Sequence, residues 1–137
     1  MKKILIADSD EVLATLYSEE LSEEGYMVKN CADPAVLMDA IVSQQPDLIL
    51  IDVQMIKHPG EGFHREMKKH LSVVPPILYM GASGYRPKRW PFSSENFVRK
   101  AGSLDSLKKK ITGVLGEPRR EARQKTAIPH KQMAFPW

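Results

Sequence analysis

Leu48-Ile49-Leu50-Ile51-Asp52 is a run of four apolar residues that stops at a carboxylate. Working outward, Ile4-Leu5-Ile6-Ala7 stops the same way at Asp8, with Asp10 two residues on. Short continuous apolar runs read as strands buried on both faces, as in a parallel sheet covered by helices. A third run, Ile77 to Met80, leads into Gly81-Ala82-Ser83, and a fourth, Phe97-Val98-Arg99-Lys100, ends in a lysine. Ligands of open α/β sheets sit beyond the carboxyl ends of the strands. Acid, acid, small polar residue and lysine, each at a strand end, predict one site for a cation and a phosphoryl group.

Helical spacing fills the gaps between these runs. Leu13, Leu16, Tyr17 and Leu21 predict the apolar face of a first helix, with Gly25 as its left-handed cap. Asp33-Pro34 reads as an N-cap and first helical residue, with Val36, Leu37, Ala40 and Ile41 facing inward. Residues 56–62 read as loop, because Pro59, Gly60 and Gly62 are breakers, followed by a short helix burying Phe63, Met67 and Leu71. Ser103 is an N-cap candidate for a last helix burying Leu104, Leu107, Ile111, Val114 and Leu115. Pro87 and Pro91 break the alternation, since an interior proline costs a helix about 3 kcal/mol. The expected fold is α/β: a flavodoxin-like, doubly wound, five-stranded parallel sheet with helices on both faces and a degenerate fourth helix. Its strands are expected at 4–7, 27–31, 48–52, 77–80 and 97–100.

The charge is unevenly placed. Lys and Arg exceed Asp and Glu by three over the whole chain, yet residues 1–116 hold 15 of each sign. The excess lies in residues 117–137, expected to be a basic, disordered tail after a single domain at 1–116. The apparent pI of about 9.0 therefore says little about the domain surface. No apolar stretch approaches the ~20 residues of a membrane span, and Lys2-Lys3 is followed by too short an apolar run for a signal peptide. A cytoplasmic address without membrane contact is expected. Cys31 is the single cysteine and reads as a small packed residue. Arg86-Pro87-Lys88-Arg89-Trp90 reads as a solvated loop rather than a nucleic-acid contact, and the four histidines form no compact ligand pair.

In order and spacing, this pattern resembles the receiver domain of two-component response regulators. The stretches carrying the resemblance are ILIADSDE at Ile4 to Glu11, PDLILIDVQM at Pro46 to Met55, and FVRKAGSLDSL at Phe97 to Leu107. The resemblance implies that Asp52 accepts a phosphoryl group from a histidine kinase or phosphotransfer protein. It implies that Asp8, Ser9 and Asp52 surround Mg²⁺, that Lys100 pairs with the phosphoryl oxygen, and that Gly81, Ser83 and Phe97 occupy the switch positions. Each residue has a plainer reading: Asp52 caps a loop, Asp8 or Asp10 caps the first helix, Lys100 is a solvated strand-end lysine, and Phe97 is core. Of the two acids, Asp10 suits the cap better.

The chain also departs from the family pattern. Ser9 stands where a second metal-binding acid is usual, and Gly81 where the fourth strand usually ends in a hydroxyl, with Ser83 two residues late. Ala101 replaces the usual proline after the lysine, and Glu61-Gly62 arrives late after Met55. The leading expectation is a phosphoprotein of a phosphorelay, a signalling domain rather than an enzyme, binding Mg²⁺ weakly. A downstream protein partner is implied but not identified, and a monomer is expected because the fourth-helix face is altered. The alternative is a phosphate-independent pseudo-receiver that acts as an interaction module.

Overall fold

A computed structural model describes residues 1–57, 61–82, 96–100 and 102–117. The strands are β1 (Lys3–Ala7), β2 (Met27–Cys31), β3 (Leu48–Asp52), β4 (Ile77–Gly81) and β5 (Phe97–Arg99). The helices are α1 (Glu11–Glu23), α2 (Leu37–Gln44), α3 (Glu61–His70) and α4 (Leu104–Leu115). The five strands are parallel, in the order β2-β1-β3-β4-β5. This is the doubly wound order expected from the strand runs.

Successive strand residues point to opposite faces. Ile4, Ile6, Leu48, Leu50, Leu78 and Met80 meet Ala14, Tyr17 and Leu21 of α1 and Leu107 and Ile111 of α4. Leu5, Ala7, Ile49, Ile51 and Tyr79 meet Leu37 and Ile41 of α2 and Phe63 and Met67 of α3. Two cores, one per face, explain why β1 and β3 are continuous apolar runs rather than alternating ones.

Several boundaries and faces differ from expectation. β1 begins at Lys3, β4 extends to Gly81, and β5 stops at Arg99, leaving Lys100 just beyond it. The inward stripe of α1 is Ala14, Tyr17 and Leu21, at spacings of three and four, so Leu16 falls off it and is exposed. Val36 belongs to a 3₁₀ turn, Pro34–Val36, capped by the Asp33 side chain; α2 starts only at Leu37, and Val36 stays exposed. Val114 is also exposed, because the stripe through Leu107 and Ile111 continues to the partly buried Leu115. Glu61 and Gly62, expected in a loop, are helical in α3, where Glu61 adds favourable negative charge to the first turn. Leu71 lies just past α3 and is only partly buried.

Helix ends position the strands that follow. The Gly25 N–H donates to the Ser22 carbonyl and the Tyr26 N–H to that of Leu21, with Gly25 at φ +104°. This is a Schellman cap, and it turns the chain into β2. α2 is capped at its carboxyl end by Gln45, a non-glycine residue at φ +48°. Ser103 caps α4 by accepting from the Ser106 N–H at 3.2 Å.

Expectations for residues 83–95 and 118–137, including the degenerate fourth helix, the monomer and the disordered tail, lie outside the described residues. Among the described residues, no helix is long and apolar enough to cross a membrane.

Candidate functional site

β1 and β3 are neighbours, with Ala7 paired to Ile51. The next residues along, Asp8 and Asp52, therefore reach the carboxyl edge of the sheet side by side. Both are buried, at 1% and 3% exposure. β4 separates β3 from β5, so a side chain just past β5 must span one strand to reach them. Lys100 has that length. Its backbone N–H donates to the Gly81 carbonyl at 2.9 Å, and its ammonium donates to Asp52 Oδ2 at 2.7 Å and Asp8 Oδ1 at 2.9 Å.

Each carboxylate is also held by the backbone. Asp52 Oδ1 accepts from the Gln54 N–H at 2.9 Å and so caps a 3₁₀ turn, Val53–Met55. Asp8 Oδ1 accepts from the Asp10 N–H at 2.9 Å. Asp10 itself caps α1 through the Leu13 N–H at 3.1 Å. For Asp52 the capping and lysine-binding readings therefore hold together, one per oxygen. For Asp10 the cap is what the structure displays.

Two buried acids share one ammonium. Burial pushes the Asp8 carboxyl above its ordinary value, and the Asp52 charge adds to this; the Asp10 N–H and Lys100 only partly offset it. Burial pulls Lys100 down, but hydrogen bonds and charge from Asp52 and Asp8 outweigh it and leave the ammonium pKa raised.

One atom stands out. Asp8 Oδ2 is fully buried and has no hydrogen-bond partner. An unsatisfied buried acceptor costs about 1–3 kcal/mol, more when charged. A hard divalent cation, or water bound to it, takes oxygen ligands of this kind, so the residues present fit Mg²⁺. The fit is spare. Ser9 is exposed beside Asp8, and no cluster of three or more His, Cys, Asp or Glu suited to a metal occurs among the described residues. Asp8 and Asp52 are the carboxylates available, so such a cation would keep several of its waters.

The remaining expected positions divide. Gly81 is the last residue of β4, paired with Arg99, and supplies no hydroxyl. Ser83 lies outside the described residues. Phe97 opens β5, half-buried against the α2–α3 core. The Arg99 guanidinium lies 5.1 Å from the centroid of its ring and donates to the Ala82 carbonyl at 3.3 Å. In the sequence Arg99 stands only as a member of the run that ends at Lys100. The available signal was a cation two residues from an aromatic, which a strand places on one face. A hollow of about 370 Å³ lined by Ile41, Pro46, Leu71 and Val74 lies at the opposite, amino-terminal edge and brings no comparable chemistry.

Comparison with known proteins bears on the family and the fold. Residues 4–112 match the family model described as the response regulator receiver domain. The sensory transduction protein BceR of Halalkalibacterium halodurans is 26% identical over 118 residues, covering 84% of this chain and 50% of that protein. The transcriptional regulatory protein YxdJ of Bacillus subtilis is 26% identical over 113 residues, covering 81% and 49%. The chain thus spans about half the length of these relatives. Among solved structures, the N-terminal domain of the nisin resistance regulator NsrR, a lantibiotic response regulator, is 28% identical with a TM-score of 0.68, covering 84% of this chain and 98% of that one. Response regulator TrrA of Thermotoga maritima, solved in complex with Mg²⁺-BeF, is 27% identical with a TM-score of 0.63, covering 84% and 100%.

Proposed function

Because this chain belongs to the response regulator receiver domain family of two-component signalling, we propose that Asp52 accepts a phosphoryl group from a phosphohistidine of a partner kinase or phosphotransfer protein. A carboxylate oxygen of Asp52 attacks phosphorus, the P–N bond breaks, and the leaving imidazole takes up a proton. The product is an acyl phosphate. Lys100, already 2.7 Å from Asp52, offsets the negative charge that gathers as carboxylate and phosphoryl oxygens approach. Asp8 keeps an unpartnered oxygen, Oδ2, beside the one that Lys100 binds. Bound there, Mg²⁺ would supply further positive charge to the phosphoryl oxygens.

The observation that carries this reading is the pairing of one ammonium with two buried acids, one of which keeps an orphaned oxygen. Buried polar atoms without a partner are few in folded proteins, and a bound ion is one of the reasons for such an atom.

The test is intact mass after incubation with acetyl phosphate and Mg²⁺, with Asp52→Asn alongside. One added phosphoryl group, absent in the variant and lost on hydroxylamine treatment, is the expected result. No adduct at any donor concentration would favour the phosphate-independent interaction module, for which Ser9 and Gly81 are the supporting residues.

A further inference from the structure

A receiver that becomes phosphorylated must pass that event to a surface a partner can read. The link expected from the family pattern, a hydroxyl at the end of the fourth strand, is missing at Gly81. We infer that Arg99 is a latch that fixes Phe97 and the exit of β4 in one arrangement, so that the β5 edge changes little when Asp52 is modified. This rests on the reading of Asp52 as the phosphoacceptor.

Three contacts carry it. The Arg99 guanidinium covers the Phe97 ring at 5.1 Å. The same guanidinium donates to the Ala82 carbonyl at 3.3 Å, tying it to the residue just past β4. Lys110 of α4 donates to the Phe97 carbonyl at 3.1 Å, so the backbone of the aromatic is held as well as its ring. Phe97 also sits in strand register with Tyr79, whose N–H binds the Asn96 carbonyl at 2.8 Å. Ring, backbone and the neighbouring strand exit are thus joined through Arg99 and Lys110.

On the other side, Lys100 adjoins Arg99 and is bonded to Gly81 only through its backbone. When its ammonium turns toward a phosphoryl oxygen, no side chain at Gly81 follows it. A ligand shifts a conformational equilibrium only by its differential affinity for the two states. Without a hydroxyl at Gly81 the difference is reduced to what the backbone bond between Lys100 and Gly81 transmits, and Arg99 opposes that remainder by holding the present state. Losing an exposed cation–π contact of ~0.5–1 kcal/mol corresponds to a roughly two- to five-fold shift in the rotamer population of Phe97.

The test is NMR of phenylalanine-labelled protein, with Phe97 assigned by Phe97→Leu, comparing wild type, Arg99→Ala and Arg99→Lys with and without Mg²⁺ and beryllofluoride. Backbone amides at Asp52 and Lys100 report occupancy of the site. In wild type these amides should move while the Phe97 ring barely shifts. In Arg99→Ala the ring response should grow at least two- to five-fold at the same occupancy, with Arg99→Lys intermediate, because it keeps the charge but not the planar stack. An arginine that is merely structural would lower the melting temperature without changing the ratio of ring response to site response. An unchanged ratio in Arg99→Ala, or a large ring shift already in wild type, overturns the latch. If the Asp52 amides respond in no variant, the phosphoacceptor reading is what fails. The latch is then judged on the unliganded proteins, where Phe97 χ1 populations must differ two- to five-fold between wild type and Arg99→Ala, and equal populations overturn it.

Discussion

Asp8 is held in a state that works against folding. Its carboxyl is raised above its ordinary value of 3.8, chiefly by burial. For an acid raised on folding, the folded state keeps its proton to higher pH than the unfolded chain. Stability is therefore full below 3.8, falls as pH rises toward the folded value, and stays reduced above it. Asp8→Asn removes that charge and its repulsion with Asp52, while the side-chain oxygen still accepts from Asp10. The variant should melt higher than wild type at pH 7, by roughly 4 °C or more for each kcal/mol relieved. The gain should vanish below about pH 4, where Asp8 is protonated in both states. Parallel melts from pH 3 to 8 check this; a constant difference across the range would show that Asp8 ionisation is not its source. Lys100 adds no pH dependence in this window, since the stability from its raised pKa is fully present there and is lost only above 10.5.

Ser9 is the second residue to test. It is exposed next to Asp8 and carries no charge. A carboxylate there would add about 4 kcal/mol of attraction to a unit charge ~4 Å away at an effective dielectric of 20, before desolvation is subtracted. Ser9→Asp should tighten Mg²⁺ by about ten-fold or more, read by calorimetry. A parent-like affinity would place Ser9 away from the cation. The acids and lysine of this site were legible in sequence because each ends an apolar strand. The orphaned Asp8 Oδ2 was not, since an oxygen's lack of a partner depends on every neighbour in space.

At the scale of elements, the helix ends carry the most testable chemistry. Gln45 closes α2 at φ +48°, a left-handed conformation that costs a side-chain-bearing residue roughly 1–2 kcal/mol. Gln45→Gly should raise stability by about 0.5–1 kcal/mol in urea, with the m-value unchanged. A loss would mean that the exposed Gln45 side chain makes contacts worth more than its strain. The positions of β1, β3 and β4 were readable because burial on both faces leaves a dense apolar signal. Helix faces were less so: Leu16, Val36 and Val114 are as apolar as their buried neighbours, but Leu16 and Val114 fall off the buried stripes of α1 and α4 and Val36 lies in the 3₁₀ turn before α2. Glu61 and Gly62 differ for another reason: Pro59 and Gly60 just before them are breakers, and Gly62 is itself a poor helix former, so the pattern alone does not show that α3 begins at Glu61.

At the scale of the molecule, residues 118–137 carry a surplus of four positive charges, so removing them takes the formal charge from +3 to −1. A chain ending at Glu117 keeps both cores and the Tyr26 hydroxyl contact to the Gly116 carbonyl. It should melt within about 2 °C of the full chain, less than 1 kcal/mol in a domain of this size, while its retention on ion exchange reverses. A large drop in melting temperature would mean that the segment belongs to the folded unit.

β3 joins the two cores, and its pairing with β1 is non-local, with Ile4 beside Leu48. Contacts between distant parts of a chain form slowly. Until they form, Leu48-Ile49-Leu50-Ile51 is an uncovered segment of high β propensity, the kind that stacks with copies of itself. A carboxylate flanks it on each side, Asp47 and Asp52. Charges at the ends of such a segment oppose stacking during refolding. If Asp52 acts as such a gatekeeper, Asp52→Asn should scatter more light than wild type when refolded from denaturant at matched concentration.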